Sequence, residues 1–366
     1  MQKIIVYDSD HHGALKNRCF EDSYATEGPG HSFTVDLGKA ARSRGFGIMT
    51  ADVFLSQPRD ANTTVFMFTE MVSKNTDLLL QRGAVPLICF SLESPLIAKD
   101  FYINIKKLSG RFIYSMQFRG TRDRLEQTST QFSVMYFPVE SRAALPYQNW
   151  KDRLYIVLIN RNKRAFYSDA SSLNGMVRSI LSRIKFKIQK AIDPWIRSKE
   201  IYKDRIEAIH FFSKHDDFHL YGGGWENPIP GFTKPYADAA KKAFRGGLAF
   251  DEKLRVMNGF RFAICFENCS FPGYITEKIF DCFLAGCIPV YYGAPDIADF
   301  VPADSFVDYR NFADFEALDT YLKKMPDAQA FKMLESARQF LAGRDFDKYY
   351  SKNVIDDMLN KAAQYE

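Results

Sequence analysis

The chain has 366 residues, 46% hydrophobic and 15% aromatic, which is too much for one ordinary core and suits two domains. A net charge of only +5 singles out no nucleic-acid partner, and 25% charged residues is usual for a globular protein. No run approaches the ~18 apolar residues of a membrane-spanning helix, and "MQKIIVYDSDHHG" has too short an apolar core for a secretory signal, so a cytoplasmic protein is expected.

From the N-terminus, "KIIVYD" predicts a strand and "TVDLGKAARSRGF" a helix ending at Gly45. "TTVFMFTE", "AVPLICFSLES" and "GRFIYSMQF" predict further strands. Continuous apolar runs alternating with helices indicate a parallel sheet covered on both faces. The polar, Pro-containing stretch from Val139 to Arg153 marks the domain boundary. The pattern restarts with "LYIVLIN", then a long helical stretch, "FHLYGGGW", "GFRFAICFEN", "CIPVYYG" and "SFVDY". Two helical segments close the chain, around "AQAFKMLESARQFLAG" and "KNVIDDMLNKAAQ".

Residues 170–200 are basic and amphipathic, with Met176, Ile180, Ile184 and Ile188 at helical spacing. Two readings stand: a helix packed on its own domain, or a peripheral contact with anionic membrane or a protein partner. The six cysteines are expected as free thiols. Four follow the spacing C-x3-C-x12-C-x4-C, but Cys265 lies in an apolar strand and Cys282 beside Phe283, surroundings of core residues rather than zinc ligands.

The stretch "GYITEKIFDCFLAG", Gly273 to Gly286, places polar residues between two apolar runs. Thr276 is expected as an N-cap whose hydroxyl accepts a first-turn N–H, and Gly286 as the C-terminal stop before Pro289. The result is a βαβ unit with its helix N-terminus at the carboxyl edge of the sheet, where ligands of open α/β sheets bind. Glu is favourable at such a start but Lys is not, which points to an anionic ligand completing the site. Lys278 would face a diphosphate and Glu277 a ribose, with Tyr274 and Asn268 at the same edge.

"FAICFENCSFPGYITEKIFDCFLAGCIPVYYGAP" resembles the signature of the alpha-1,3-fucosyltransferases, glycosyltransferase family ten. "LINRNKR", "IYKDRIEAIHFF", "FHLYGGGW" and "SLESPLIAKDFY" with "FIYSMQFRG" extend the likeness to its bacterial branch, over roughly residues 85 to 310. The resemblance implies a GT-B fold, an α/β architecture of two Rossmann-like domains facing each other across a cleft. Residues 1–148 would form the acceptor-binding domain, 149–345 the GDP-fucose-binding domain, and 346–366 a C-terminal helix. It implies inverting transfer of fucose from GDP-fucose to a galactosyl-N-acetylglucosamine or lactose-type oligosaccharide acceptor. Glu277 would hold the ribose, Lys278 and Arg205 the diphosphate, and Tyr274 and Asn268 would line the donor site. Arg197 competes with Arg205, because a basic stretch precedes "YKDRIEAI". Glu93 in "LESP" would be the general base, a role that activating a hydroxyl nucleophile requires. The N-terminal anchor and C-terminal disulfide cysteines of the animal members are not expected here.

"YDSDHH", Asp8 to His12, is a decoy for a metal-binding Asp-x-Asp pair, far in sequence from the donor motif. Lys278, Arg205 and the helix N-terminus are expected to stabilise the leaving diphosphate with no obligatory metal. Arg119, Arg122 and Asp123 are acceptor candidates by location only. Competing readings are another GT-B enzyme with a different nucleotide sugar, a non-catalytic glycan- or nucleotide-binding protein, and a basic membrane- or nucleic-acid-binding module.

Overall fold

Residues such as Ile4–Tyr7 and Phe66–Phe68 are apolar without alternation, which only a strand buried on both faces tolerates. The computed structural model describes residues 2–9, 11–26, 30–58, 60–162, 199–227, 229 and 233–365. Arg197 and nearly all of the basic segment 170–200 lie outside the described residues.

Two compact units divide the chain. The first comprises Met1–Ser94, Ala98–Ser141 and Phe346–Glu366, and the second Pro95–Ile97 and Arg142–Asp345. The first unit holds β1 (Gln2–Asp8), β2 (Gly47–Thr50), β3 (Thr63–Glu70), β4 (Val85–Phe90), β5 (Tyr114–Gln117) and β6 (Gln131–Val134), all parallel, in the order β2-β1-β3-β4-β5-β6. The short strands β2 and β6 lie outside the apolar runs that mark the others in the sequence. Each is an edge strand with one neighbour, so its residues need not be apolar on both faces. The C-terminal helix Ser351–Ala363 returns to this unit and buries Val354, Ile355, Met358 and Leu359 in its core. Arg44 fastens it with bonds to Asn360 (2.9 Å) and Asp356 (2.5 Å).

The second unit holds β7 (Leu154–Ile159), β9 (Phe218–Tyr221), β10 (Phe260–Phe266), β12 (Ile288–Tyr292) and β13 (Val307–Asp308), again all parallel, ordered β13-β12-β10-β7-β9. A small antiparallel pair, β8 (Lys199–Glu200) with β11 (Cys269–Ser270), lies outside that sheet. Ile156, Leu158, Phe262, Ile264, Ile288 and Val290 meet Ile206, Ile209 and Phe212 of the helix Tyr202–Phe212 in one core. The predicted helix runs Glu277–Ala285 and stops at Gly286, whose φ of +66° is the left-handed turn that glycine takes without strain. All six cysteines are free and buried. No helix among the described residues is long and apolar enough to cross a membrane.

Both sheets are doubly wound. The connections run one way from β1 and the other way from β3, and likewise from β7 and β10. Such a reversal opens a crevice at the carboxyl ends of the two strands, the place where ligands bind in this architecture. In the second unit the loops leaving β7 and β9 interlock there. The Trp225 indole donates to the Asn160 carbonyl (2.6 Å), and Asn162 donates through its backbone N to Gly223 O (3.0 Å) and through Nδ2 to Gly224 O (2.9 Å). Gly222 has φ +122°, and a Cβ on it would lie 2.0 Å from the Asn160 carbonyl oxygen. Gly222→Ala therefore combines backbone strain with a backbone clash, and it is expected to lower the thermal denaturation midpoint by at least ~4 °C. An unchanged midpoint in calorimetry would contradict the interlock.

Candidate functional site

Three successive residues at the end of β10 organise the crevice of the second unit. Phe266 offers its carbonyl, to which Arg205 donates from Nε (3.0 Å) and NH2 (2.6 Å). Glu267 turns its carboxylate into the protein, with none of its surface exposed. Asn268 accepts from Arg205 NH2 (3.0 Å) and donates to the Tyr274 hydroxyl (3.2 Å).

Arg205 reaches this point because the helix Tyr202–Phe212 starts beside it. The guanidinium lies 4.8 Å from the centre of the Tyr202 ring, and NH1 reaches Asn160 Oδ1 at 3.4 Å. These hydrogen-bond acceptors are neutral oxygens. Burial lowers the guanidinium pKa from its ordinary value, but an arginine stays protonated, so the site holds a buried cation without a hydrogen-bonded carboxylate among these partners.

Glu267 meets the start of the helix Glu277–Ala285. Its Oε1 accepts from the Thr276 backbone N–H (2.8 Å), the Thr276 hydroxyl donates to both carboxylate oxygens (3.0 and 2.9 Å), and Lys278 Nζ donates to Oε2 (3.0 Å). Thr276 does occupy the N-cap position, but its hydroxyl makes no cap bond. The expected capping bond is thus corrected: a fully buried carboxylate needs donors more than a helix N-terminus needs an acceptor, and it takes both the hydroxyl and the amide. Lys278 also donates to Thr276 Oγ1 (2.8 Å) and lies 3.6 Å from Glu277 Oε1. Burial opposes the charged form of Lys278, but Glu267 and Glu277 more than offset it and raise the ammonium pKa above its ordinary value. Burial likewise opposes ionisation of Glu277, yet Lys278 and Lys253 carry its carboxyl below the ordinary value. Gly293 keeps room for this arrangement, since a Cβ there would lie 2.6 Å from Glu267 Cγ.

Arg205, Asn268, Tyr274 and Lys278 are therefore brought together by contacts that run through residues 266–268, and Glu277 joins them through Lys278. The Tyr274 ring is buried, and Gly273 sets its approach with φ +74°. A cavity beside them is lined by Ile159, Asn160, Lys253, Lys278, Cys265 and Cys282, among others. The arrangement can bind an anion with two cations and accept hydroxyl hydrogen bonds on a carboxylate kept ionised.

Sequence reasoning passed over three participants. Glu267 stands in the quoted "FEN", and a charged residue directly after the apolar run 262–266 was the available signal. Asn160 ends β7 in the same way. Lys253, whose ammonium donates to Asp281 Oδ2, belongs to a separate helix (Lys253–Asn258), and no local pattern links it to the site.

The remaining candidates belong to the first unit. Glu93 is half-buried in the turn after β4, where its backbone N–H donates to Ser91 Oγ (3.3 Å) and its carbonyl accepts from the buried Tyr102 hydroxyl (2.9 Å). Asp8 is fully buried and accepts from Ser73 (2.7 Å) and Thr76 (3.1 Å), which ties the end of β1 to the loop after β3. Arg119, Arg122 and Asp123 are exposed.

Residues 187–335 match the family described as Glycosyltransferase family 10 (fucosyltransferase), C-terminal part. This stretch is a family-10 glycosyltransferase domain. Drosophila melanogaster alpha-(1,3)-fucosyltransferase B is 32% identical over 141 residues, 38% of this chain and 30% of the relative. Helicobacter pylori alpha-(1,3)-fucosyltransferase FucT is 38% identical over 78 residues, 21% of this chain and 16% of the relative. The matched part thus spans less than a third of these relatives. An alpha1,3-fucosyltransferase crystallised with GDP superposes with a TM-score of 0.50 at 13% identity, covering 100% of this chain and 91% of the other. Anabaena Alr3699/HepE with UDP reaches a TM-score of 0.59 at 10% identity, covering 100% of both chains. At these identities the likeness concerns the fold, and the fold class is GT-B. The residues gathered around β10 all fall inside the family-10 domain except Asn160.

In that domain, the Glu267–Lys278 pair carries a test of its own. Glu267→Gln keeps the side-chain shape but removes the charge facing Lys278, and should cost roughly 3 kcal/mol of stability. The double variant Glu267→Gln, Lys278→Met should recover a large share of that loss. Denaturation of all four proteins in a mutant cycle checks it, and a coupling below ~0.5 kcal/mol would mean that the two sites act independently.

Proposed function

We propose that the protein is an inverting glycosyltransferase that moves L-fucose from GDP-fucose to a hydroxyl of an N-acetyllactosamine- or lactose-type glycan, with α-1,3 linkage. The observation that carries this reading is the convergence of Arg205, Asn268, Tyr274, Glu277 and Lys278 at the switch point between β7 and β10. Arg205 and Lys278 hold the diphosphate. Glu277 accepts the ribose hydroxyls, and Asn268 and Tyr274 line the donor pocket. The family-10 relatives named above supply the choice of fucose and of the 1,3 linkage.

Inversion is a single in-line displacement. The acceptor hydroxyl attacks the anomeric carbon as the bond to GDP breaks, and its proton passes to a base in the transition state. Glu93 is proposed as that base. Its turn is held by Tyr102 and Ser91, so its main chain does not depend on substrate for order. Negative charge grows on the leaving diphosphate, and Arg205, Lys278 and the N-terminus of the helix Glu277–Ala285 are already oriented to meet it. No obligatory metal is proposed.

The test is fucose transfer from GDP-fucose to N-acetyllactosamine and to lactose in excess chelator, alongside calorimetric binding of GDP, UDP and ADP. GDP should bind best. Glu93→Gln should lose at least ~100-fold in kcat with GDP affinity retained. Equal rates in the variant would remove Glu93 from the chemistry, and rescue of a dead chelated enzyme by manganese would overturn the metal-free reading. Tight GDP binding with no transfer would point to another acceptor or a non-catalytic protein.

A further inference from the structure

Glu277 and Asp281 stand one helical turn apart on the same helix, both mostly buried. Two neighbouring carboxylates in that position repel, and ionisation of one opposes ionisation of the other. Asp281 lies on the helix that carries Glu277 and Lys278, and it is met from the helix Lys253–Asn258, where Lys253 Nζ donates to Asp281 Oδ2 in a pair only 20% and 16% exposed. Lys253 also lines the cavity that Lys278 lines.

We propose that Lys253 is a positioning residue of the donor site, holding Glu277 ready to accept the ribose hydroxyls by cancelling the charge of Asp281 beside it. This inference rests on the GDP-sugar reading of the site.

The charged groups around Glu277 among the described residues are Lys278 and Asp281 on its own helix, Lys253 from the preceding helix, and Glu267 at the end of β10, which acts through Lys278. Arg205 lies one step further, against Lys278. For Asp281, burial raises the carboxyl pKa, Lys253 opposes that rise and Glu277 adds to it. Lys253 responds to both acids: burial works against its charge, but Asp281 and Glu277 together raise its pKa. With Lys253 gone, Lys278 alone would face Glu277, Asp281 and Glu267. The direction follows. The Glu277 carboxyl, now held below its ordinary value, would move up, and its charge would be lost as pH falls through the new value.

Lys253→Met removes the ammonium and keeps the length of the stem. GDP affinity is measured by calorimetry, and donor KM and kcat by transfer, at about pH 5.5 and about pH 8. The ratio of variant to wild type is the readout, because the terminal phosphate of GDP itself titrates near pH ~6. The expected result is affinity weakened by about tenfold more at the acid pH than at the alkaline one, carried in KM, with kcat at saturating donor within roughly threefold. Adding Asp281→Asn should flatten the profile again, since it removes the charge that Lys253 cancels. A variant weaker by the same factor at both pH values, or equal to wild type at both, overturns the inference while the donor site stands. Failure of the wild type to bind GDP overturns the donor-site reading, and this inference with it.

Discussion

The site depends on one buried carboxylate. Glu267 follows the apolar run 262–266 with no exposed surface, a position that costs several kcal/mol for an ion without partners. Its partners come from one short segment: the amide and hydroxyl of Thr276 and the ammonium of Lys278. The same bonds that stabilise Glu267 therefore fix the start of the helix Glu277–Ala285 against the end of β10. They set where Lys278 stands and, through it, Glu277. The neighbouring residues repeat the pattern with other partners, Phe266 and Asn268 holding Arg205. One strand end thus places both cations proposed for the diphosphate.

The charges gathered there balance: Arg205, Lys253 and Lys278 against Glu267, Glu277 and Asp281. Balance is what makes the cluster tolerable in a buried position without a ligand. It also means that the cations are already oriented, so little reorganisation is needed when negative charge develops on a leaving group. Arg205 differs from the two lysines. Its hydrogen-bond partners are neutral carbonyl and amide oxygens, which orient the guanidinium without neutralising it. On the proposed function it is the cation least neutralised by neighbouring carboxylates, and Lys278, which lines the cavity, is held between two of them.

The sheet pattern and much of the site were legible in the residues. Apolar-rich runs mark nine of the eleven strands of the two parallel sheets among the described residues; the other two, β2 and β6, are short edge strands. A Lys at a helix start, unfavourable by itself, signals the ligand edge, and Gly286 signals the stop. The hydroxyl of Thr276 departs from its local rule because that rule knows the helix end but not the carboxylate that folding brings to it. Glu267 is hard to single out for the complementary reason: its importance lies in partners about ten residues away in sequence, across a turn.

By itself the sequence determined the alternation of strand and helix, the restart after Val139, and the polar residues that face the carboxyl edge of the second sheet. Those are properties of local periodicity and of single residues such as Gly and Pro, which act over one turn or one strand. Only the tertiary structure decided the rest. It returned the helix Ser351–Ala363 to the first unit, set the strand orders that open a crevice between β7 and β10, and brought Lys253 to Asp281. Each of these joins segments far apart along the chain, and their pairing is settled by which buried faces and charges can be satisfied together, a condition that no short stretch of residues contains.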